Sequence, residues 1–546
     1  MSAHGTFRVP DPHNEPVLGY EPGSPERDEL RRRLDELSSQ RLEIPLVIGG
    51  EDVHAGDTYE AVIPHNHSHV LADVHKGGAG EVERAIAAAA AAWEDWSRTP
   101  WEDRAAVFLR AAELLAGPWR QTLNAATMLG QSKTAHQAEI DAACELIDFW
   151  RFNVQYMTRI YEEQPISSPG VWNRLEYRPL EGFVFAVTPF NFTSIAGNLP
   201  TSVALMGNTV VWKPASTAAV SAHFLMKLFE EAGLPPGVIN LVYGSGAAVG
   251  DPALASEHLA GIHFTGSTPV FQGMWQTVGE NIARYRNYPR IVGETGGKDF
   301  IVAHPSADAR ALATAILHGS FEYQGQKCSA ASRVFAPASL WAQVREQVAE
   351  EIREMKMGDV ADFSNFVGAV IDASSFATQK EAIEEAKAAA GKASIVAGGG
   401  YDDSDGWFVQ PTVIETTDPG FRTMREELFG PVVTAFVYDD SRYDETLDLV
   451  DKGTTYGLTG AVFARDLAAI EKTRDRLRYA AGNFYVNDKP TGAVVGQQPF
   501  GGARASGTND KAGSMWNLIR WVSPRAIKET FVPPRDYRYP FLSEDS

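Results

Sequence analysis

Short runs of consecutive apolar residues, separated by helical stretches, constrain the fold of this chain more than any other feature. Four such runs occur in its first half, at residues 182–189 (GFVFAVTP), 209–212, 238–242 and 261–264. Unbroken apolar runs indicate strands that are buried on both faces. Helical spacing at residues 195–204 and 218–232 places single helices between these strands, which indicates parallel βαβ units. The sequence therefore predicts an α/β fold.

A second series of alternating elements follows residue 297. Its predicted strands and helices lie at residues 300–302, 307–318, 332–335, 340–355, 434–437 and 460–462. The length of 546 residues exceeds the size of about 250–300 residues at which single cores stop growing. We therefore expect two α/β domains that meet near residue 297. Residues 166–179 are too isolated to pack alone, so we expect an arm onto a neighbouring subunit; the alternative is a surface hairpin.

Composition excludes several classes of protein. The formal net charge of -21 argues against a sequence-independent nucleic-acid binder, which needs a basic face. Two cysteines cannot form a disulfide framework, and the lack of a run of 18 or more apolar residues argues against a membrane span. Asp11 and Glu15 lie where a mitochondrial transit peptide is poor in acids. We therefore expect a cytoplasmic protein.

Cys328 is a candidate nucleophile. It lies in the run GQKCSA between a predicted helix and a predicted strand, and its small neighbours leave room for a substrate to reach sulfur. Lys327 could favour the thiolate if its side chain points the same way. A single cysteine is more often an inert buried residue, and that interpretation suits Cys144, which lies in the middle of a predicted helix.

Two further residues have the chemistry that a nucleophilic cysteine needs. Glu294, in GETGGK, follows the apolar pair Ile291 and Val292, and a carboxylate there can act as a general base; the alternative is a helix or turn cap. Asn191, in TPFNFT, follows a predicted buried strand, and its amide could donate to a developing oxyanion. The alternative for Asn191 is an Asx turn.

Evidence for a dinucleotide site is weaker. Residues 244–250 (GSGAAVG) are one residue too long for the G-x-G-x-x-G pattern. Residues 264–268 (FTGST) are better placed, because they end a predicted strand and open a helix whose backbone N–H groups favour phosphate. Lys213 could reach ribose hydroxyls, or it could be a solvated surface lysine. We expect no metal site, since H-E-x-x-H and C-x-x-C motifs are absent and residues 401–412 do not complete a calcium loop.

Seven motifs in order carry a family resemblance. They are TPFNFT, VWKPAS, FTGST, GETGGK, GQKCSA, EELFGP and PFGG. In this order, and with an interval of 34 positions from Glu294 to Cys328, they resemble the aldehyde dehydrogenase superfamily from about residue 40 onward. The resemblance implies a Rossmann-like NAD-binding domain, an α/β catalytic domain and a small oligomerisation arm. The implied divisions are 1–40 (N-terminal extension), 41–163 with 180–296 (NAD-binding domain), 297–515 (catalytic domain), and 164–179 with 516–546 (arm and C-terminal tail).

The resemblance also implies a role for each matched residue. Cys328 would attack the aldehyde, Asn191 and the backbone N–H of Cys328 would hold the oxyanion, and Glu294 would activate water. The implied cofactor contacts are Thr188, Lys213, Gly250, Gly266, Ser267, Thr268, Pro269, Val270, Glu427 and Phe429. We favour NAD as the cofactor. NADP is not excluded, because Ser216 stands where many NAD-selective relatives carry a glutamate.

Residues 487–493 (NDKPTGA) and 496–511 (GQQPFGGARASGTNDK) narrow the resemblance. They are similar to the 1-pyrroline-5-carboxylate dehydrogenases of proline catabolism, which oxidise L-glutamate γ-semialdehyde to glutamate. The implied substrate contacts are Ser329, Gly492 and Ala493, which would bind the carboxylate, and Phe192 and Phe500, which would pack on the aliphatic part.

The chain is too short for a fused proline dehydrogenase domain, so we expect the monofunctional type, with a separate proline dehydrogenase as a candidate partner. We also expect a homodimer or a larger homo-oligomer. Three alternatives stay open: an aldehyde dehydrogenase for a different semialdehyde, a non-catalytic protein on the same scaffold, and a thiol hydrolase or acyltransferase that works without a cofactor.

Overall fold

A computed structural model describes residues 5–542 of the chain. The first four residues of the predicted extension 1–40 and the last four of the predicted tail 516–546 lie outside the described residues. Two seven-stranded sheets dominate the fold, and a separate two-stranded sheet forms an arm. The predicted α/β class is confirmed. Across residues 5–542, no helix is long and apolar enough to cross a membrane.

Residues 5–294 supply eleven strands and ten α-helices. The strands are β1 (Leu42–Ile44), β2 (Leu46–Ile48), β3 (Glu51–Val53), β4 (Thr58–Ile63), β5 (Asn66–His75), β6 (Val171–Pro179), β7 (Phe183–Thr188), β8 (Thr209–Pro214), β9 (Ile239–Leu241), β10 (Leu259–Thr265) and β11 (Arg290–Glu294). The helices are α1 (Pro25–Ser38), α2 (Ala79–Trp96), α3 (Trp101–Ala116), α4 (Arg120–Gln131), α5 (Ala135–Ala138), α6 (Leu146–Glu162), α7 (Thr193–Leu205), α8 (Ala219–Glu231), α9 (Gly246–Ala255) and α10 (Thr268–Glu280).

The first large sheet has the strand order β11-β10-β7-β8-β9-β2-β3. Strands β7 to β11 pair in parallel, whereas β2 and β3 join antiparallel at one edge. Because β7 lies between β8 and β10, the strand order reverses beside it, and the carboxyl ends of β7 and β10 border the crevice where open α/β sheets bind ligands. A smaller sheet, β1-β5-β4, lies outside this one.

The second half supplies the other large sheet. Its strands and the neighbouring short ones are β12 (Asp299–Ala303), β13 (Ala331–Pro337), β14 (Ala393–Ala397), β15 (Tyr401–Asp402), β16 (Phe408–Val409), β17 (Thr412–Thr416), β18 (Val432–Tyr438), β19 (Tyr456–Gly457), β20 (Thr459–Phe463), β21 (Asn483–Val486), β22 (Ala503–Arg504) and β23 (Val522–Thr530). Its helices are α11 (Ala309–Phe321), α12 (Ala338–Glu354), α13 (Ala373–Ala388), α14 (Arg422–Arg425), α15 (Tyr443–Lys452), α16 (Leu467–Arg476) and α17 (Met515–Leu518). The sheet order is β14-β17-β18-β13-β12-β20-β21, with β14 antiparallel at its edge.

The arm consists of β6 and β23, which pair antiparallel from Val522 opposite Pro179 to Thr530 opposite Val171. Residues 171–179 of the segment 166–179 thus pair with a strand distant in sequence, rather than with a neighbouring strand in the surface hairpin that was the alternative. β23 is largely solvent-exposed, whereas most residues of β6 are partly buried.

The first helix begins earlier than its charge pattern suggests. The sequence predicts a short helix around residues 31–37, but α1 starts at Pro25 because Ser24 caps it, accepting a hydrogen bond from the backbone of Arg27. The segment before it packs on the body of the protein: Asn14 and Glu15 both bind Asp148. The sequence also predicts a helix at residues 138–160, but residues Glu139–Glu145 form a π-helical segment before α6.

Candidate active site

Two cavities meet at Cys328. One has a volume of about 720 Å³ and lies along the carboxyl ends of the first sheet. The other, of about 460 Å³, lies between α6, α7 and the loop at residues 489–500. Cys328, Phe264 and Thr265 line both cavities. We call them the sheet-edge cavity and the loop cavity.

Most of the predicted cofactor contacts line the sheet-edge cavity. They are Thr188, Lys213, Gly250, Gly266, Ser267, Val270, Glu427 and Phe429. Thr268 and Pro269 lie in the first turn of α10 but do not line the cavity, because the first turn of a helix presents only part of its circumference to one side. Lys213 is not a solvated lysine: its side chain is buried, and burial lowers its pKa.

Two helix N-termini open onto the sheet-edge cavity. Ser245 caps α9 by accepting a hydrogen bond from the backbone of Ala248, and Ser267 is the N-cap of α10. Gly246 and Ser267 both line the cavity. Unpaired backbone N–H groups and the helix dipole favour phosphate at such ends. The cavity therefore fits the pyrophosphate of a dinucleotide, although residues 244–250 depart from the usual glycine pattern.

Glu427 is held at the same cavity by the glycines of GETGGK. The backbone N–H of Gly297 donates to Glu427 Oε1 at 2.9 Å. A β-carbon on Gly296 would lie 1.9 Å from Glu427 Oε2, so no side chain fits at position 296 without displacing Glu427. Burial raises the pKa of the Glu427 carboxyl to about 7. Phe429, next but one along the chain, packs edge-to-face on Phe190 with ring centroids 5.7 Å apart.

Cys328 follows a tight turn that links α11 to β13. Tyr323, Gln324 and Gly325 all have left-handed backbone conformations, with φ of 52°, 54° and 64°. The Gln324 side chain fixes this turn, donating to the carbonyl of Ala369 and accepting from the backbone of Gly368. Burial raises the pKa of the Cys328 thiol well above its usual range, and nearby carboxyl groups add to the effect. Both effects favour the thiol over the thiolate.

Asn191 and Glu294 line different cavities, and Cys328 lines both. Asn191 lines the sheet-edge cavity, and its Nδ2 donates to the carbonyl of Gln326 at 3.0 Å. An amide NH₂ carries two hydrogens, so one is left for a ligand. Glu294 ends β11 and lines the loop cavity, where its Oε2 accepts from the backbone of Gly502 at 2.8 Å. Burial raises the pKa of the Glu294 carboxyl well above its usual range.

All of the predicted substrate contacts line the loop cavity: Phe192, Ser329, Gly492, Ala493 and Phe500. The Ser329 hydroxyl is hydrogen-bonded to that of Thr491 at 2.7 Å. Gly492 has a φ of 91°, a left-handed conformation that favours glycine. The hydroxyls of Ser329 and Thr491 and the backbone at Gly492 therefore line the same cavity as Cys328.

Sequence reasoning missed several groups around the loop cavity. Lys327 and Lys489 both bind Glu322, each at 3.0 Å. Burial raises the pKa of Glu322, but a hydrogen bond from His318 and the ammonium groups of Lys327 and Lys489 outweigh it and hold this pKa well below its usual range. The amine of Lys327 therefore points to Glu322 rather than assisting the thiolate. These contacts join residues up to 167 positions apart, and no local pattern signals them.

The N-terminal segment forms another wall that sequence reasoning missed. Asn14, Glu15 and Val17 line the loop cavity. Asn14 Nδ2 donates to Asp148 Oδ2 and to the carbonyl of Val495, both at 2.8 Å. Burial raises the pKa of Asp148 to about 6. The segment predicted as a separate extension is therefore part of the cavity.

Comparison with known proteins identifies the family. A family model described as "Aldehyde dehydrogenase family" matches residues 52–527, and the chain belongs to that family. It is 51% identical to the mitochondrial delta-1-pyrroline-5-carboxylate dehydrogenase of Bos taurus, over 97% of this chain and 94% of the relative.

Solved structures agree. The crystal structure of the delta-pyrroline-5-carboxylate dehydrogenase from Mycobacterium tuberculosis is 56% identical, covers 100% of both chains and superposes with a TM-score of 0.96. The structure of that enzyme bound with NAD superposes equally well, covering 99% of this chain and 100% of the other. The resemblance stated from the seven motifs is confirmed.

The predicted cytoplasmic location is contradicted. Relatives from Bos taurus, Mus musculus and Homo sapiens, about half identical to this chain, are named as mitochondrial enzymes. The prediction was wrong because the acidic residues Asp11 and Glu15 argue only against a transit peptide at those positions. They carry no information about the compartment of the folded enzyme, and in the structure Glu15 serves another purpose, pairing with Arg120 and Arg151.

Proposed function

We propose that the chain oxidises L-glutamate γ-semialdehyde, the open form of 1-pyrroline-5-carboxylate, to L-glutamate in proline catabolism, with NAD as the oxidant. The observation that carries this proposal is the position of Cys328, which lines both cavities. A dinucleotide in one cavity and an aldehyde in the other would meet at a single sulfur. The Bos taurus and Mycobacterium tuberculosis relatives, which are named for this activity, support the choice of substrate.

We place NAD in the sheet-edge cavity. The N-termini of α9 and α10 would hold the pyrophosphate, Lys213 would bind ribose hydroxyls, and Glu427 would bind the nicotinamide ribose. When bound, NAD supplies an acceptor for the hydride that leaves the former carbonyl carbon. The preference for NAD over NADP is proposed from the NAD-bound relative, since Ser216 does not itself repel a 2′-phosphate.

The first half of the reaction forms a bond to Cys328. Its sulfur attacks the aldehyde carbon, and the thiol proton ends on the former carbonyl oxygen, giving a thiohemiacetal. Asn191 Nδ2, fixed by the carbonyl of Gln326, would donate to the oxyanion together with the backbone N–H of Cys328. Loss of the hydride and of the hydroxyl proton leaves a thioester on Cys328.

The second half hydrolyses that thioester. Glu294, once ionised, would take a proton from a water molecule in the loop cavity as the water attacks the acyl carbon. The carbon–sulfur bond then breaks, the acid leaves and the thiol is restored. Because burial raises the pKa of the Glu294 carboxyl, a raised pH favours the ionised form that can accept this proton.

The loop around Ser329 would select the substrate. The hydroxyls of Ser329 and Thr491 and the backbone N–H groups of Gly492 and Ala493 offer donors to a carboxylate at the far end from the aldehyde. Phe192 and Phe500 would pack on the intervening methylene groups. The alternative, a semialdehyde of different length, would use the same sulfur but would place its carboxylate at a different distance from it.

The organisation of the chain is part of the proposal. Residues 41–163 with 180–296 would form the NAD-binding domain and residues 297–515 the catalytic domain. The arm of β6 and β23 would pair with a second subunit in a homodimer or larger assembly. The exposed side chains of Trp172 on β6 (51%) and of Val532, two residues beyond the end of β23 (82%), support this. Because the substrate arises from oxidation of proline, a separate proline dehydrogenase is the proposed supplier.

A substrate panel tests the function. The purified enzyme would be assayed with glutamate γ-semialdehyde, succinate semialdehyde and propanal, each with NAD and with NADP, by following the rise of reduced cofactor. We expect the highest kcat/KM for glutamate γ-semialdehyde with NAD. Equal values for propanal would contradict the proposed substrate, and turnover without reduction of a cofactor would contradict the proposed reaction.

A further inference from the structure

Three side chains far from the active site converge on one point of the surface. They are Glu43 on β1, His54 just after β3 and His75 at the end of β5. His54 Nδ1 lies 3.2 Å from Glu43 Oε1 and 3.3 Å from His75 Nε2, and His75 Nε2 lies 3.0 Å from Glu43 Oε1. The three atoms therefore form a nearly equilateral triangle. Positions 43, 54 and 75 match no common metal-binding spacing, so the sequence did not predict it.

A single proton cannot satisfy these three atoms. His75 Nδ1 is hydrogen-bonded to the carbonyl of Ala55, which can only accept, so Nδ1 carries the hydrogen. In a neutral His75, the Nε2 lone pair then points at the carboxylate oxygen of Glu43. The hydrogen on His54 Nδ1 is the one donor left for two acceptors. A cation in the triangle would be bound by all three atoms at once.

The charged side chains near the triangle would not compete with a bound cation. Among the described residues, the basic groups within 4.0 Å of the Glu43 carboxylate are the two imidazoles. The neighbouring basic side chains have their own partners: Arg41 binds Asp73, and Lys76 binds Asp57. The Glu43 carboxylate therefore lacks a permanently charged partner of its own.

We propose that Glu43, His54 and His75 form a binding site for a divalent transition-metal ion of the Zn²⁺ class. Ligand atoms about 2.0–2.1 Å from a tetrahedral zinc lie about 3.3–3.4 Å apart, which is close to the edges of the triangle. Two imidazoles and one carboxylate suit Zn²⁺, Co²⁺ or Ni²⁺ better than Ca²⁺ or Mg²⁺, which prefer oxygen alone.

The hydrogen bond from His75 to the carbonyl of Ala55 supports the proposal. Metal-binding histidines usually donate their other ring N–H to a carbonyl or carboxylate, which fixes the tautomer and the ring orientation. The bond from His75 Nδ1 to Ala55 does this, and His75 is buried while the other two side chains are exposed. The site is therefore anchored on one rigid ligand and open on its solvent side, where water completes the coordination.

A bound ion would add a cross-link between β1, β5 and the loop that follows β3. β1 and β5 already pair in parallel, with Glu43 opposite Asp73, but His54 lies in the loop between β3 and β4. The ion would fasten this loop to the small sheet β1-β5-β4. We therefore expect Zn²⁺ to raise the midpoint of thermal unfolding, because a ligand that binds the folded state stabilises it.

Cobalt titration tests the site. Metal-free protein would be titrated with Co²⁺ while its visible spectrum is recorded, and Zn²⁺ would then be added as competitor. We expect a band typical of four-coordinate cobalt with nitrogen and oxygen ligands, saturating at one ion per chain and displaced by Zn²⁺. Binding to Cys328 would instead add a thiolate-to-cobalt charge-transfer band in the near ultraviolet, and Cys328→Ser would remove it.

The variants His54→Gln and Glu43→Gln remove exposed ligands, and the matched control His69→Gln removes another histidine on β5. We expect each ligand variant to weaken binding by at least about tenfold, since even outer-shell losses cost about 10–100-fold, and to abolish the thermal shift with Zn²⁺. NADH formation should be unchanged in all three, which shows that they fold. Absence of saturable binding in the unmodified protein, or equal binding in His54→Gln, would overturn the proposal.

Discussion

The two cavities that meet at Cys328 are built in different ways. The sheet-edge cavity is assembled from the ends of neighbouring parallel strands and from the helices that follow them, so its key groups lie within a few residues of a strand end. The loop cavity is assembled from the N-terminal segment, α6, α7 and the loop at residues 489–500. The sheet-edge cavity is therefore formed mainly by short stretches of sequence at strand ends, whereas the loop cavity depends on segments that are distant in sequence.

Replacing Cys328, which lines both cavities, should lower kcat more than any other substitution considered below. We expect Cys328→Ser to lower kcat by at least about 10⁴-fold, as for nucleophiles in other covalent catalysts, while NAD binding measured by calorimetry is retained. The matched control is Cys144→Ser, which removes the other cysteine and should leave the rate of NADH formation unchanged. Substantial activity in Cys328→Ser would show that the cavities do not meet at a nucleophile.

Glu294→Gln should separate the two halves of the reaction. We expect steady-state turnover to fall by about 10²–10⁴-fold, while the first turnover still releases a burst of NADH in a stopped-flow experiment. Because burial raises the pKa of Glu294, its ionised fraction and the turnover of the unmodified enzyme should both rise with pH. The variant should lose that part of the pH dependence. A variant without a burst would place Glu294 in the first half instead.

Asn191→Ala tests the sheet-edge side of Cys328. Loss of one oxyanion donor costs about 10²–10³-fold in kcat in comparable sites, and we expect a loss in this range with little change in KM for NAD. Steady-state kinetics over a range of both substrates would measure it. An unchanged kcat would mean that the Asn191 amide serves only its hydrogen bond to Gln326.

Ser329→Ala tests the loop cavity and should lower kcat/KM by a smaller factor. A hydrogen bond to a charged group contributes about 1.5–3 kcal/mol, so we expect kcat/KM for glutamate γ-semialdehyde to fall by at least about tenfold. Propanal, which has no carboxylate, is the matched control and should be oxidised as before. A parallel loss with both aldehydes would indicate damage to Cys328 rather than loss of a carboxylate contact.

Ser216→Glu should give the smallest effect and concerns the cofactor alone. A carboxylate near the 2′-phosphate would repel NADP, so we expect kcat/KM with NADP to fall by about tenfold and the value with NAD to change little. Assays with both cofactors would measure the ratio. An unchanged ratio would place the 2′ position of the ribose away from residue 216.

The difference between the cavities also explains how much could be predicted. Cys328, Glu294 and Asn191 lie in motifs of about six residues at the ends of strands or in the turns between elements, and the structure brings them together. The pairing of Lys489 with Glu322 could not be predicted, because it joins residues from two distant loops. The same holds for the triangle of Glu43, His54 and His75. Local patterns record how a chain forms strands and helices, but not which side chains tertiary packing will juxtapose.

The contacts of Asn14 with Asp148 and Val495 close one side of the loop cavity with a segment near the N-terminus. The family model matches residues 52–527, and Asn14 lies before that stretch. A change in this segment can therefore alter the shape of the loop cavity without touching the strands and turns that position Cys328, Glu294 and Asn191.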